Sequence, residues 1–362
     1  MKRSAKARKQ RRKKAASSAN KKVERPAKAK GNPVSGIRET QEARALLEEQ
    51  LGSLYWWAFN AFKMRGFLNA KALDRSQREN VKSNITAPDR ERWSDSKVNK
   101  TIFDIGCHRG EDTGYYLYLG YDVVAVDANP DMVEAVTSMF ENEIQAGRLV
   151  ILNYAITASD NETIELNVSE QSLWTSLRPE VASRLNSGKH QITVQTLRLD
   201  TLISTYGTPH YCKVDIEGYD AVAVDALKTV QPLPVYISVE TECIGEHEII
   251  NDQQALETLV RLHEAGYHHF KLVDQSSLTV LSEKPFYGTE KQKGRAEHLM
   301  NLKKKHKYDF PLSATGPFGP DLEGEWVDYS FARELLLLHR RSFFEQPNVT
   351  NFSFWCDWHA MV

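Results

Sequence analysis

The chain has 362 residues, 41% of them apolar and 10% aromatic, enough for a sizeable core. Its net charge of −1 joins two unlike parts. Residues 1–30 hold 14 Lys or Arg against one acid, Glu24, giving +13, and the other 33 basic and 47 acidic residues give −14. No run reaches the roughly 18 apolar residues of a membrane span, no apolar segment follows the basic start as in a secretory signal, and Cys107, Cys212, Cys243 and Cys356 lack CxxC spacing; a cytoplasmic protein with reduced thiols is expected.

Residues 1–38 are basic, rich in Ala and Ser, and nearly free of large apolar side chains. Such a segment buries too little surface to offset its ordering entropy, so a disordered tail is expected, with contact to polyanions as its second role. From 39 to 98 comes a helical extension and linker. Leu46, Leu47, Leu51, Leu54, Trp57, Ala58, Ala61 and Phe62 recur at spacings of three and four, and a polar stretch follows.

The main domain is expected over 99–285. It opens with Thr101–Asp127, TIFDIGCHRGEDTGYYLYLGYDVVAVD. An apolar run ends in Asp104 and Gly106, a glycine loop leads into a helix over 111–119, and a second apolar run ends in Asp127: the first unit of an open α/β nucleotide-binding sheet. Asn129 then caps a helix that Pro130 begins. Leu149 to Ile156 reads as one strand buried on both faces. Strands over 163–168 and 193–199 follow, separated by a polar loop with an exposed-looking Trp174. Tyr211 to Gly218 and Val235 to Glu242 are strands ending in carboxylates, and a helix over 253–265 leads to a strand over 269–274. Residues 286–362 read as a loop-rich extension packing on the domain, with a helix over 329–338, the turn-rich segment 313–320 and an aromatic end, 352–359.

The glycines Gly106, Gly110 and Gly114 do not make the G-x-G-x-x-G turn of a dinucleotide site. Asp104 would repel a pyrophosphate but suits an ammonium group. Gly106 lets backbone approach a ligand, loop N–H groups can hold a carboxylate, and Asp127 can take two ribose hydroxyls. S-adenosylmethionine has this chemistry: an amino acid and a nucleoside with no phosphate.

The chain resembles the FkbM family of S-adenosylmethionine-dependent methyltransferases over about residues 100–275. The resemblance is carried by Asp104-Ile105-Gly106-Cys107-His108-Arg109-Gly110, Asp112-Thr113, Ala155-Ile156 and Lys213-Val214-Asp215-Ile216-Glu217-Gly218. It departs at His108, where Asn is usual, and at Asp127, where Glu is usual. It implies a Rossmann-like class I methyltransferase fold, a seven-stranded sheet whose last strand is antiparallel, and O-methylation of a hydroxyl on a sugar, glycan or secondary metabolite. By position, Asp104, Gly106, His108, Gly110, Thr113 and Asp127 form the cofactor site, Asn153 and Ala155 flank the adenine, and Asp215 and Glu217 stand at the carboxyl edge of the sheet.

A sugar hydroxyl is a weak acid, so a general base assists methyl transfer. Asp215 is the first candidate, Glu217 the second, and Glu240 or Glu242 the third. Mg2+ held by these acids is the alternative, with no metal ligand assigned. Two other readings stand beside the enzyme: a non-catalytic cofactor-binding adaptor that acts through its basic tail, and an NAD-dependent oxidoreductase, which the glycine spacing disfavours.

Overall fold

The computed structural model describes residues 100–184, 187–242, 250–284, 289–311, 313–346 and 354–362. The basic tail and the helix expected before residue 74 lie outside the described residues. Strands β1 (Thr101–Ile105), β2 (Asp122–Asp127) and β3 (Leu149–Asn153) alternate with helices α1 (Glu111–Tyr118) and α2 (Pro130–Met139). The chain then leaves the main sheet. Strands β4 (Ala155–Ile156), β5 (Thr163–Ser169) and β6 (Lys189–Leu197) form a separate three-stranded sheet, in the order β4-β6-β5.

The chain returns through α3 (Leu199–Tyr206) to β7 (Tyr211–Val214), α4 (Asp220–Ala226) and β8 (Tyr236–Glu240). Helix α5 (Glu257–Ala265) leads to β9 (His269–Asp274) and the short β10 (Thr279–Val280), and the described chain ends with α6 (Thr289–His306), α7 (Tyr329–Phe344) and β11 (Cys356–Met361).

The main sheet has the order β3-β2-β1-β7-β8-β11-β9-β10. Strands β1, β2, β3, β7 and β8 pair in parallel, while β11 pairs antiparallel with both β8 and β9. Strand β11, inserted antiparallel between β8 and β9, gives the Rossmann-like methyltransferase arrangement that the resemblance implies. The strands number eight rather than seven, because β10 adds a two-residue edge beside β9. The order reverses direction between β1 and β7, and open α/β sheets hold their ligands at the carboxyl ends of the strands flanking such a point.

Three expectations change. The run Leu149–Ile156 is not one strand: β3 stops at Asn153, and Ala155–Ile156 pairs with β6 in the other sheet. The aromatic end supplies β11, where Cys356, Trp358 and Ala360 alternate with Asp357 and His359, a period of two. The main sheet therefore extends past residue 285 and is completed by residues 356–361. The loop-rich region also contains α6, an 18-residue helix.

The two faces of the main sheet differ. Phe103, Ile105, Val124, Val126, Cys212, Val214, Ile237, Val239, Trp358, Ala360, Phe270 and Leu272 point one way, into an apolar core that α3, α4, α5 and α7 complete. On the other face Ile102, Val123, Ala125, Leu149 and Tyr211 pack under α1 and against Tyr308 and Phe318. That face also carries buried Asp104, Lys213, Ser238, Glu240, Lys271, Asp357 and His359, which alternate along their strands with residues of the apolar core.

Candidate active site

The loop after β1 is built on backbone constraints. Gly106 has φ +80°, and a Cβ placed there would fall 1.8 Å from the carbonyl oxygen of Asp215, so the β1 loop and the β7 end touch through a glycine. The loop N–H groups are used within the protein. Those of Gly106 and Cys107 donate to the Val126 carbonyl, that of His108 to Asp127 Oδ2 at 2.8 Å, that of Arg109 to Glu111 Oε2, and that of Gly110 to the Cys107 carbonyl. The loop therefore offers a ligand no row of open N–H donors, contrary to the expectation that it would hold a carboxylate. His108 adopts φ +47°, a region that Asn, Asp and His enter more readily than other non-glycine residues. Its ring bridges Glu111 Oε1 at 3.0 Å and Ser172 Oγ at 2.9 Å, joining the loop to the excursion between β5 and β6. Burial would raise the Glu111 carboxyl, but His108 and Arg109 outweigh it and hold it below its ordinary value.

Asp127 ends β2 at the cleft. Its two oxygens accept from the N–H groups of His108 and Asn129, each at 2.8 Å. Burial pushes its carboxyl up to about 6, against the opposing pull of those two donors. Beside it the cleft wall is apolar, from Met132, Ala155, Ile156 and Leu166. Ser172, Leu173, Trp174, Thr175, Ser176 and Leu177 cover it from the β5–β6 excursion. Trp174 is buried there rather than exposed.

The third wall is acidic. Asp215, Glu217 and Glu240 each place a carboxylate oxygen within 4.8 Å of the other two. Asp220 shapes the turn that presents them, because its oxygens accept from the N–H groups of Ile216 and Gly218, each at 3.0 Å. Glu217 sits at φ +53°, with its carbonyl accepting from Ser176 Oγ at 2.6 Å and its carboxylate 3.0 Å from Arg184 Nη1. Burial raises the Glu217 carboxyl; Arg184 opposes the rise and Asp215 adds to it. Beside this wall Lys213 donates to the Gly106 carbonyl at 2.8 Å and lies 3.4 Å from Asp104, 3.6 Å from Asp215 and 3.8 Å from Asp112.

The family model for the methyltransferase FkbM domain matches residues 104–268, from the end of β1 to the start of β9. This segment is an FkbM methyltransferase domain. No curated protein matches the chain. Among solved structures, the chain is similar to a TehB-like S-adenosylmethionine-dependent methyltransferase from Corynebacterium glutamicum, at 11% identity and TM-score 0.29, covering 57% of this chain and 89% of that one. It is also similar to a sarcosine dimethylglycine methyltransferase, so described, from Galdieria sulphuraria, at 8% identity and TM-score 0.31, covering 73% and 77%. A third is a methyltransferase from Thiobacillus denitrificans in complex with S-adenosylhomocysteine, at 10% identity and TM-score 0.28, covering 79% and 89%. The fold assignment rests on the strand order and the family match, not on these likenesses.

Within the FkbM domain, Gly106, His108, Asp127, Ala155, Asp215, Glu217 and Glu240 line a single cleft. Four expected cofactor residues lie outside its lining. Asp104 is fully buried and accepts from Thr113 Oγ1 at 2.6 Å while facing Lys213, so both Asp104 and Thr113 brace β1 against α1. Gly110, at φ +82°, opens α1, and a Cβ there would meet the Phe140 ring at 2.6 Å. Asn153 donates to the carbonyls of Asp127 and Ala128, tying β3 to the end of β2. Glu242 pairs with Arg178 at 3.1 Å and is outside the cleft lining. Glu111, Asp112, Ser172, Arg184 and Lys213 line the cleft and were given no role from sequence. Lys213 is part of the string that carries the family resemblance, and its position opposite Asp104 across β7 and β1 is a matter of strand register that the sequence does not display.

The cleft fits S-adenosylmethionine on its donor chemistry. A strand-end carboxylate and the apolar wall beside it suit a ribose and an adenine, and the acidic wall is left for an acceptor. The occupied N–H groups do not suit the pyrophosphate of a dinucleotide, which needs such donors. Among the described residues no helix is long and apolar enough to cross a membrane.

Proposed function

We propose that this chain is an S-adenosylmethionine-dependent O-methyltransferase whose acceptor is a hydroxyl of a sugar, glycan or secondary metabolite. The supporting observation is the meeting of the two strand ends. Gly106 and Asp215 touch at the switch point, which puts a nucleoside-binding wall and a carboxylate wall into one cleft. Asp127 holds the ribose hydroxyls, and Met132, Ala155 and Ile156 flank the adenine. Bound S-adenosylmethionine supplies a methyl group on a sulfonium, a good leaving group. The chain's own tasks are therefore to align the acceptor, keep water out and receive a proton. Asp215, at the mouth of β7, takes the hydroxyl proton on a carboxylate oxygen, while Glu217, fixed by Arg184, and Glu240 orient the acceptor. Trp174 and its neighbours close the cleft from above.

The same three carboxylates allow a second reading, a divalent cation that lowers the acceptor's pKa. Chelator treatment separates the two: transfer that survives it leaves Asp215 as the base. The main test is calorimetric titration with S-adenosylhomocysteine. Wild type is expected to bind, Asp127→Ala to bind more weakly, and Asp215→Ala to bind but not transfer. Absence of binding by folded wild type would defeat the proposal. The basic segment 1–30 is read as a polyanion contact, checked by salt-dependent binding that its deletion removes.

A further inference from the structure

Lys213 is an ammonium buried at the centre of the FkbM domain, 4% exposed at its side chain. Strand β7 places it directly across from Asp104 of β1, on the polar face of the sheet. From there it reaches four groups on four segments. It donates to the Gly106 carbonyl of the loop at 2.8 Å, and its nitrogen lies 3.4 Å from Asp104 at the end of β1. Asp112 in the first turn of α1 is 3.8 Å away, and Asp215 beyond β7 is 3.6 Å away. Asp112 itself accepts from the N–H groups of Thr315 at 2.9 and 3.0 Å and of Gly316 at 3.4 Å. The Lys213 ammonium therefore stands where the loop, the first turn of α1, Asp215 and, through Asp112, the segment around Thr315 converge.

Removing one partner of such a buried cluster leaves the others exposed to each other. Three carboxylates without their cation repel one another, and the Gly106 carbonyl loses a charge-assisted donor. Gly106 has no slack to absorb this, since it already lies against the Asp215 carbonyl. Burial would strip the lysine of its proton, but Asp104, Asp215 and Asp112 outweigh burial and keep its affinity for the proton above the usual range.

We propose that Lys213 is a positioning residue of the methyl-transfer site, a charged clip that fixes the Gly106 loop relative to Asp215 so that cofactor and acceptor walls keep one spacing. This rests on the reading of the cleft as an S-adenosylmethionine site. The role belongs to the charge and not to the bulk of the side chain, which separates it from ordinary core packing.

The test uses the full chain and S-adenosylhomocysteine as the probe, so it needs no knowledge of the acceptor. Lys213→Met keeps most of the volume and removes the charge; its affinity is expected to fall by about tenfold or more, while circular dichroism shows a folded protein. Lys213→Ala opens a space that borders the cleft. Millimolar propylammonium is expected to restore much of the lost affinity, and propanol of similar size is not. If Lys213→Met or Lys213→Ala does not fold, Lys213→Met combined with Asp104→Asn removes one anion together with the cation, and the same loss of affinity is expected from the double variant. A Met variant, single or double, that binds within twofold of wild type overturns the proposal, as does equal rescue by propanol. Wild type that fails to bind S-adenosylhomocysteine overturns the cofactor reading itself, a result distinguishable from failure of the lysine's role.

Discussion

The two faces of the main sheet are made by the same strands yet follow different rules. On one face, successive inward residues are apolar without interruption from Val124 to Phe270, and four helices cover them. On the other, Asp104, Lys213, Glu240 and Asp357 occupy the equivalent inward positions and remain nearly inaccessible. An apolar face is stabilised by area removed from water, roughly 25 cal/mol per Å2. A buried polar face gains little from area and depends on partners with suitable geometry. The first face makes the sheet, and the second makes the site.

That contrast can be broken at either face. The largest effect is expected at the apolar one. Trp358→Ala, at a fully buried side chain, should cost about 3–5 kcal/mol in denaturant unfolding, while whatever protein remains folded keeps its affinity for S-adenosylhomocysteine. Next comes Gly106→Ala, which forces a Cβ into the Asp215 carbonyl at a positive φ. A loss of about 3 kcal/mol is expected, with cofactor binding abolished rather than spared. Asp127→Ala should act on binding more than on folding, weakening S-adenosylhomocysteine by about 10- to 100-fold in calorimetry.

The pH dependence sharpens the same point. Burial places the Asp127 carboxyl at about 6, so below that pH it is protonated and one oxygen becomes a donor instead of an acceptor. Cofactor affinity should therefore fall as pH drops through 6 and level off above it, and Asp127→Asn should lack that step. The smallest effect is expected for Asp112→Asn, which keeps one acceptor for the Thr315 and Gly316 N–H groups. A cost of about 1 kcal/mol in thermal unfolding is expected.

Much of the apolar face was legible in the sequence, because burial writes itself as periodicity. The run at 269–274 is the strand β9, and Asn129 and Pro130 begin α2 as cap and first residue, with the Asn129 side chain accepting from the Asp131 N–H. Strand β11 was hidden because its alternation of Trp358 with Asp357 and His359 mixes aromatic and charged residues that read as an irregular end. Helix α6 was hidden because Lys, Arg and Glu dominate it and leave little apolar stripe to detect. At the site, strand-end carboxylates were readable as chemistry, and Asp127, Asp215, Glu217 and Glu240 do share the cleft. Whether an acid faces a cavity or the protein interior depends on pleat and register. Asp104 is one residue short of the end of β1 and turns inward to Thr113, and nothing in its spacing distinguishes that from an outward turn.

Strand β11 has a consequence for how the protein is made. Asp357 pairs with Glu240, more than a hundred residues earlier in the chain, and it lies between two strands that have no other neighbour on those edges. While a ribosome is still translating the segment between them, β8 and β9 each present a bare row of N–H and C=O groups. Such edges recruit strands from other chains, and a contact this distant in sequence closes slowly. Synthesis is thus the period when this protein is most vulnerable to aggregation, and a nascent chain stalled before residue 356 should be a strong client for chaperones that shield unpaired strands.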